Sequence, residues 1–384
     1  MIFSKSKFFS CFLRLNQPKF SFSFNTLFFK LWILAGFFIQ VGCVGEMPVV
    51  EQILWEGRTM GTTYMVKVAV VQLDNDSKAN LDSLGNSSNE AIDLLPTQHG
   101  LDSVLNIVNA SLSTYRTEST LSQFNRCEHC FLVDTMIKRN FIASLAVHQA
   151  SSGAFDPSVY PLVQAWGFGP QRNDNAPDSS KVQELLRLVG LGQFSMVGDS
   201  LCKSKPNQML DFSAIAKGYG VDVVGWYLES LGIRNYLVEI GGEIRASGWR
   251  DVGEPWTVAV EKPLDDPSGQ QRAALLQIPV KNRSMASSGN YRNFYMLNGV
   301  KVAHTIQPST GYPTPSDVLA ATILAEDCMT ADAYATACMA LGSSAAQAML
   351  KEHPELEAIL IISGPKSASG YTLYATKGMK DYLP

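Results

Sequence analysis

The sequence has no excess of positive charge. Its 384 residues include 31 Lys and Arg against 35 Asp and Glu, which gives a net charge of −4, and it has only five His. The first 42 residues carry five basic and no acidic side chains, so the rest of the chain carries a net charge of −9. A body this acidic repels the phosphates of nucleic acid, and we expect no nucleic-acid partner.

The chain also lacks a long hydrophobic run. Its most apolar stretch, residues 31–42, follows Lys30 and precedes Cys43, and it is shorter than the roughly 20 residues that a membrane helix needs. Basic residues, a short apolar segment and a cysteine are typical of a bacterial lipoprotein signal, although Gln40 stands where Leu is usual. We expect a leader over residues 1–43 and a mature protein that is lipid-anchored through Cys43 to the inner membrane and faces the periplasm. An uncleaved anchor and a misassigned start codon are the alternatives.

Cysteine is scarce as well, and it does not form a metal-binding pattern. Two of the seven cysteines fall in the leader, and Cys127 and Cys130 form one Cys-x-x-Cys pair with no second pair nearby. A zinc site needs more ligands than this. In an oxidising compartment a local Cys127–Cys130 disulfide is favoured over free surface thiols.

The remaining pattern predicts an α+β protein. Residues 72–100 are rich in Asn, Asp and Ser and are interpreted as a loop insertion. Helices are predicted over 101–112, 134–151, 178–190 and 330–341, and another is predicted to begin near Ala214. Alternating strands are predicted at 55–71, 209–211, 235–240, 244–249, 256–263, 275–280, 284–289, 294–299, 318–325, 357–363 and 371–378. Strands punctuated by helices favour a largely antiparallel sheet core with packed helices, in one domain over residues 44–384.

One predicted helix carries a candidate metal site. Asp332 and Thr336 are four residues apart in the run MTADAYATACMALG, so they share a helix face. A carboxylate and a hydroxyl on one face suit Mg²⁺, which keeps water or substrate phosphate as its other ligands. The structural alternative is that Asp332 caps a helix and Thr336 bonds its own backbone.

A second candidate lies in LDFSAIAKGYGVD, residues 210–222. The pattern predicts a strand ending at Asp211, a turn of small residues and a helix N-terminus, which favours phosphate binding with Lys217 one turn in. The alternative is an ordinary strand–helix junction with a solvated lysine. Downstream, Gly241-Gly242 either allows close approach of a ligand or forms a bulge.

Two further segments have the character of binding loops. Residues 151–170 are dense in Gly, Pro and aromatics, and a flat ligand such as a flavin or adenine would stack on them, although Trp166 and Phe168 favour core positions. His304 precedes a Pro-Ser-Thr-Gly turn, where catalytic groups are common. The alternative is that His304 is an ordinary surface or core histidine whose hydrogen bonds are made within the protein.

Taken in order, these segments resemble the ApbE family, the FAD:protein FMN transferases. The resemblance covers roughly residues 55–345, and its segments are MGTTY (60–64), LSTYRTESTLSQFN (112–125), GAFDPSVYPLVQAWGFG (153–169), LDFSAIAKGYGVD, VEIGGEIRASG, WTVAVEKP, SSGNYRNF, HTIQPSTG and ADAYATA. It implies a two-lobed single catalytic domain of the ApbE type.

The resemblance also implies a set of site residues. Mg²⁺ would be held by Asp332, Thr336 and the backbone carbonyl of Ala214, while His304 and Asp332 would be catalytic. FAD contacts are implied for Met60, Tyr115, Ala154, Phe155, Asp156, Asp211, Lys217, Ser288, Arg292 and His304. The family's usual Asp in the His304 segment is Gln307 here, which removes any carboxylate role at 307. Ser213 stands where Gly is common.

The implied reaction is Mg²⁺-dependent transfer of FMN from FAD to a Thr or Ser hydroxyl of a target flavoprotein subunit, with release of AMP. Either His304 or a nearby carboxylate would remove the hydroxyl proton. Implied targets are subunits of sodium-translocating NADH:quinone reductase or Rnf type that carry a D-x-x-[ST]-G-[AS]-T motif. The alternatives are an Mg²⁺-dependent FAD pyrophosphatase and a non-catalytic FAD-binding lipoprotein.

Overall fold

The computed structural model describes residues 49–72, 95–170, 176–263, 273–290, 294–297, 300–303, 305–364 and 370–383. The predicted leader with Cys43, most of the predicted insertion, and the site candidates Arg292 and His304 lie outside these ranges. Within them, no helix is both long and apolar enough to cross a bilayer.

Eight α-helices are described. They are α1 (Gln98–Leu112), α2 (Thr120–Arg126), α3 (Thr135–Ala150), α4 (Tyr160–Ala165), α5 (Ser179–Leu186), α6 (Ala216–Ser230), α7 (Cys328–Leu341) and α8 (Ser343–Glu352). Side-chain caps set several of their starts: Asp134 accepts bonds from the amides of Met136 and Ile137, and Asp327 accepts one from Thr330. The predicted helices are confirmed with shifted ends. The one predicted over 178–190 ends at Leu186, before Gly190 with its φ of 131°.

The strands form one large sheet and three small ones. They are β1 (Val49–Thr59), β2 (Thr62–Gln72), β3 (Cys130–Leu132), β4 (Phe194–Val197), β5 (Ser200–Lys203), β6 (Tyr236–Ile240), β7 (Glu243–Ser247), β8 (Trp256–Glu261), β9 (Ala274–Val280), β10 (Arg283–Gly289), β11 (Phe294–Leu297), β12 (Val300–Ala303), β13 (Val318–Ala325), β14 (Glu357–Ser363) and β15 (Tyr371–Ala375). The large sheet has the order β1-β2-β6-β7-β10-β13-β14-β15, and all its pairings are antiparallel. The predicted α+β class is confirmed.

Successive residues of the central strands face opposite sides of the sheet, and both sides are buried. In β6, Val238 packs in the cluster formed with α1 and α6, whereas Leu237 packs in the cluster formed with the β8–β9 hairpin. In β13, Ile323 faces the large core that includes α2, α3 and α7, and Leu324 faces the β8–β9 side. The sheet therefore lies between a helical layer and a hairpin.

Two hairpin turns set the register of the strands that lead to the site. Thr59 pairs with Thr62 across a two-residue turn in which Met60 and Gly61 have φ of 49° and 74°. Ile240 pairs with Glu243 across Gly241 and Gly242, whose φ values are 65° and 110°. Positive φ at both central positions is the geometry that fits a tight two-residue hairpin.

The strand predicted to end at Asp211 is absent from the described structure. Residues 208–212 belong to no ladder, because the Asn125 side chain takes the place of a neighbouring strand. Its amide nitrogen donates to the Leu210 carbonyl and its oxygen accepts from the Leu210 N–H, each at 2.8 Å. The Asp211 N–H donates to the carbonyl of Pro157 at 2.9 Å. The segment thus stays extended without being part of a sheet.

The predicted local disulfide is wrong. Cys130 is bonded to Cys202, which lies opposite it in the β3–β5 pairing, and Cys127 is a free thiol. A Cα–Cα separation of 4.1 Å between paired strands lets Cys130 reach Cys202. Spacing alone could not reveal this, because the two cysteines are 72 residues apart.

The disulfide gives a stability prediction. Replacing Cys130 by Ser in the oxidised protein is expected to lower the free energy of unfolding by about 2–4 kcal/mol. Without the disulfide the unfolded chain is no longer closed into a long loop, and its conformational entropy rises. Cys127→Ser is the matched control and should change it by less than about 1 kcal/mol. Urea unfolding of both variants measures the difference. Equal stabilities for the two variants would contradict the Cys130–Cys202 pairing.

Candidate active site

A cavity of about 1720 Å³ is lined by the first turns of α6, the α7 face, the β6–β7 turn, β10 and the segment before α5. Drug-sized ligands occupy pockets of about 300–1,000 Å³, so this one has room for a larger molecule such as a dinucleotide. The fold brings ten of the predicted site residues to its wall: Tyr115, Ala154, Phe155, Asp156, Asp211, Ala214, Lys217, Ser288, Asp332 and Thr336.

Asp332 is the most constrained of these residues. It is buried inside α7, where its Oδ2 accepts a bond from the Gly218 N–H of α6 at 3.0 Å. Its Oδ1 lies 3.7 Å from Lys217 Nζ. The N-cap of α7 is Asp327, so Asp332 does not cap its own helix. Instead it bonds the N-terminal turn of a neighbouring helix.

Lys217, Glu243 and Asp332 form a charge cluster in the cavity wall. Lys217 Nζ lies 2.7 Å from Glu243 Oε1, while Glu243 and Asp332 are 3% and 2% exposed. Burial alone would lower the pKa of Lys217, but the two carboxylates raise it above its usual value. Burial raises the pKa of Glu243, Lys217 opposes this, and Asp332 adds to it. Two buried carboxyl groups therefore share one ammonium, and the raised pKa of Glu243 favours its protonated form.

Four hydroxyl-bearing residues of β10, β13 and α7 line the cavity, among them Thr336, the second predicted metal ligand. Thr336 Oγ1 lies 3.2 Å from Ser288 Oγ on β10, and on the same strand Ser287 Oγ lies 2.8 Å from Thr322 Oγ1 of β13. This part of the cavity wall thus carries hydroxyl groups, whose oxygens can bind a hard cation and whose hydrogens can bond to a phosphate.

Asp211 lines the cavity in the segment that precedes α6. Its carboxylate accepts bonds from the N–H of Ser213 at 2.9 Å and from its hydroxyl at 2.8 Å. Burial raises the pKa of Asp211, and the Ser213 bonds oppose this. Burial and the nearby Asp211 also raise the pKa of Tyr115 and Tyr160. Ser213, the departure from the family pattern, thus holds the Asp211 side chain.

Of three further predicted contacts, Phe155 and Asp156 lie in the cavity wall with buried side chains, and Met60 lies outside it. Phe155 is buried, and Asp156 turns its carboxylate inward to the amides of Ser158 and Leu191 at 2.8 and 3.1 Å. Met60 is not in the wall of the large cavity. It occupies the β1–β2 turn, where it packs against Gly220 and lines a second cavity of about 510 Å³.

Arg292 and His304 lie outside the described residues. Their chain neighbours do reach the site: Gly289 on one side, and Thr305, Ile306 and Pro308 on the other, line the large cavity. The roles predicted for Arg292 and His304 remain predictions.

Sequence reasoning missed Glu243. Glu243 follows the Gly241-Gly242 turn and begins the strand EIRAS, in which Ile244 and Ala246 are buried. A buried carboxylate in a strand is costly unless it is paired, and that cost was the available signal.

Close contact between α6 and α7 requires glycine at position 218. A Cβ there would overlap the carbonyl oxygen of Cys328 and lie 2.9 Å from the Asp332 Cβ. Gly218→Ala is expected to lower the free energy of unfolding by about 1–3 kcal/mol, because the helices must move apart.

Gly192→Ala is the matched control for this prediction. A Cβ at position 192 meets no atom within 4 Å. Thermal unfolding of the two variants measures the effect, and an unchanged Tm for Gly218→Ala would show that the helices do not pack as described.

An α+β fold with a large cavity, lined in the described residues by buried acids, a lysine and hydroxyl groups, is typical of an enzyme that binds a large polar ligand. The sequence profile described as "ApbE family" matches residues 60–360. The chain belongs to the ApbE family.

The chain is similar in sequence to known proteins over most of its length. A Vibrio cholerae protein named "FAD:protein FMN transferase" is 36% identical over 353 residues, which is 91% of this chain and 97% of the relative. A Haemophilus influenzae protein of the same name is 36% identical over 335 residues, which is 84% of this chain and 89% of the relative.

Solved structures show the same fold. "Flavin Transferase ApbE from Vibrio cholerae" matches with a TM-score of 0.73 and 35% identity, and the match covers 87% of this chain and all of that one. The apo form of "Pseudomonas stutzeri flavinyl transferase ApbE" matches with a TM-score of 0.71 and 29% identity over 87% of this chain and 97% of that one.

Proposed function

We propose that this ApbE-family enzyme transfers the FMN part of FAD to a Thr or Ser hydroxyl of a target protein, with release of AMP and with dependence on Mg²⁺. The observation that carries the proposal is the buried cluster of Asp332, Glu243 and Lys217 beside Thr336 in a cavity large enough for a dinucleotide. The names of the relatives supply the substrate class.

The residues of the site fit Mg²⁺. Among the described residues no three His, Cys, Asp or Glu side chains group as a metal site, and Mg²⁺ commonly binds one or two carboxylates with the rest of its shell from water and substrate. Glu243 Oε2 is buried and has no hydrogen-bond partner among the described residues, so it is a polar atom that a ligand in the cavity could satisfy. Asp332, Thr336 and the Ala214 carbonyl would hold the ion.

When bound, Mg²⁺ would offset negative charge on the pyrophosphate as the bond to AMP breaks. The chain itself positions the reactants. The N–H groups of Ala216, Gly218 and Tyr219 at the start of α6 already bond other atoms of the chain, so positive charge for the phosphates would come from Lys217. Asp211 and the aromatic residue Tyr115 flank the α6 entrance turn.

In the proposed reaction the target oxygen bonds to the FMN phosphorus, the phosphorus–oxygen bond to AMP breaks, and the hydroxyl proton passes to a base. Either His304 or a nearby carboxylate takes this proton. The protein itself forms no covalent bond in this reaction. Most of the rate enhancement would therefore come from orienting the two substrates and from positive charge near the phosphates.

Cellular placement is proposed from the sequence alone. Cleavage before Cys43 would remove residues 1–42 and leave Cys43 lipidated, with the enzyme facing the periplasm at the inner membrane. Targets would be flavoprotein subunits of NADH:quinone reductase or Rnf type that carry the D-x-x-[ST]-G-[AS]-T motif.

The test is incubation of the protein with FAD, Mg²⁺ and a small protein that carries a D-x-x-T-G-A-T segment, followed by intact-mass measurement. The proposal expects a mass gain of one FMN that disappears with EDTA or when the target Thr is replaced by Ala. Free FMN and AMP without an adduct would indicate a pyrophosphatase instead. Intact bound FAD with neither product would indicate a carrier.

A further inference from the structure

The first turns of α6 and α7 are held by each other's carboxylates. Asp222 of α6 accepts the N–H groups of Cys328 and Met329, the first two residues of α7, at 3.0 and 2.9 Å. Asp332 of α7 accepts the N–H of Gly218, the third residue of α6, at 3.0 Å. The first N–H groups of a helix have no partner within the helix, and a carboxylate there also meets the positive end of the helix dipole. Each helix therefore caps the other.

The two contacts are coupled by helix geometry. Gly218 and Asp222 are four residues apart on α6, and Cys328 and Asp332 are four apart on α7, so each helix presents its donor and its acceptor on one face, one turn apart. No side chain stands between the helices at Gly218, since a Cβ there would overlap the Cys328 carbonyl. A displacement of the start of α7 would therefore also move Asp332 away from Gly218.

Asp222 is itself fixed to the large sheet. It is buried, and its Oδ1 accepts a bond from Arg245 Nη1 of β7 at 3.0 Å. Arg245 also donates to the Tyr236 hydroxyl at 3.0 Å and to Glu229 Oε1 at 2.9 Å. Arg245 is two residues from Glu243 on β7, so both side chains project from the same face of that strand. One strand thus supports both the acid–lysine cluster and the helix contact.

We infer that Asp222 is a positioning residue for the proposed metal site: by holding the Cys328 and Met329 amides it sets the place of Asp332 and Thr336 against the Ala214 carbonyl. The inference rests on the proposed function. Asp222 does not line the cavity and touches neither the substrate space nor the proposed ion. It acts through the backbone of α7, as the outer partners of metal ligands commonly do.

The test uses the full chain with Asp222→Asn. Asn keeps one acceptor oxygen and replaces the other with an NH₂ group, which cannot accept from the second α7 amide. The matched control is Glu229→Gln, which also removes a carboxylate from Arg245; the hydrogen bonds of Glu229 go to Arg245 and Tyr236 rather than to α7. If Asp222→Asn does not fold, Arg245→Lys takes its place in both measurements below, with the same expected results. This variant weakens the hydrogen bond that holds the Asp222 carboxylate and keeps Asp222 itself.

The first measurement needs neither metal nor activity. Hydrogen exchange is expected to speed up in Asp222→Asn at the amides of residues 328 and 329 and also at Gly218, and to stay unchanged at all three in Glu229→Gln. Faster exchange at 328 and 329 with wild-type protection of Gly218 would show that Asp222 is only a local helix cap, and would overturn the inference.

The second measurement is Mn²⁺ binding in the presence of FAD and without target, followed by electron paramagnetic resonance. We expect Asp222→Asn to bind Mn²⁺ about 10-fold to 100-fold more weakly, while FAD affinity without metal changes less than about twofold. Equal Mn²⁺ affinity in Asp222→Asn and wild type, or an equal loss in Glu229→Gln, would overturn the inference.

Asp332→Asn, measured in parallel, separates this inference from the proposed function. A loss of Mn²⁺ binding in Asp332→Asn without one in Asp222→Asn would overturn only the positioning role. Unchanged Mn²⁺ binding in Asp332→Asn would overturn the proposed metal site, and the inference with it.

Discussion

Replacing Asp332 by Asn is expected to lower the rate of FMN transfer at saturating FAD by about 1,000-fold, which corresponds to about 4 kcal/mol of lost charge stabilisation. Asn keeps an oxygen that can accept the Gly218 N–H now bonded at 3.0 Å, so the packing of α6 on α7 should survive. What is lost is the negative charge at the proposed metal ligand. Single-turnover transfer followed by intact mass measures the effect.

Asp327→Asn is the control for this variant. Asp327 caps the same helix by accepting the Thr330 N–H at 2.7 Å, and Asn is also a good cap. It is not in the wall of the cavity, so transfer should stay within about twofold of wild type. A wild-type rate for Asp332→Asn with Mg²⁺ present would remove Asp332 from the reaction.

Replacing His304 by Ala is expected to slow transfer by about 10²–10⁴-fold, the usual contribution of a general base, while the Kd for FAD changes much less. The prediction rests on the sequence and on the neighbouring Thr305, which lines the cavity. Separate measurement of FAD affinity by fluorescence and of the transfer rate distinguishes a proton-transfer role from a binding role.

His99→Ala is the matched control for His304→Ala, because His99 is exposed on α1 and does not line either described cavity. It should leave both quantities unchanged. An equal loss of FAD affinity and rate in His304→Ala would make His304 a binding residue. Full activity would assign proton removal to a carboxylate.

Local pattern predicted most of the fold. The helices predicted to begin at residues 134, 178 and 330 begin at Thr135, Ser179 and Cys328, each directly after an aspartate N-cap that the structure reveals. Alternation located most strands of the large sheet, but the single strand predicted over residues 55–71 is wrong: the chain turns at Met60 and Gly61, and β1 pairs with β2 as a hairpin. The failure at residues 209–211 has a clear cause: an apolar, extended segment looks the same whether a strand or the Asn125 side chain bonds its backbone.

The site was predictable only in part, for a physical reason. Asp332 and Thr336 could be paired because both lie on one helix, and the family resemblance added residues that the fold then placed in one cavity. Glu243, Asp222 and Arg245 were missed because their roles depend on contacts between separate elements. The Cys130–Cys202 bond was missed for the same reason.

The most direct test of the account is a crystal structure of the protein with FAD and Mn²⁺, using the anomalous signal of the metal. We predict one Mn²⁺ peak about 2.1 Å from oxygens of Asp332, Thr336 and the Ala214 carbonyl, with the FAD pyrophosphate as a further ligand and the rest of FAD in the 1720 Å³ cavity. A metal peak elsewhere, or FAD bound outside this cavity, would contradict it.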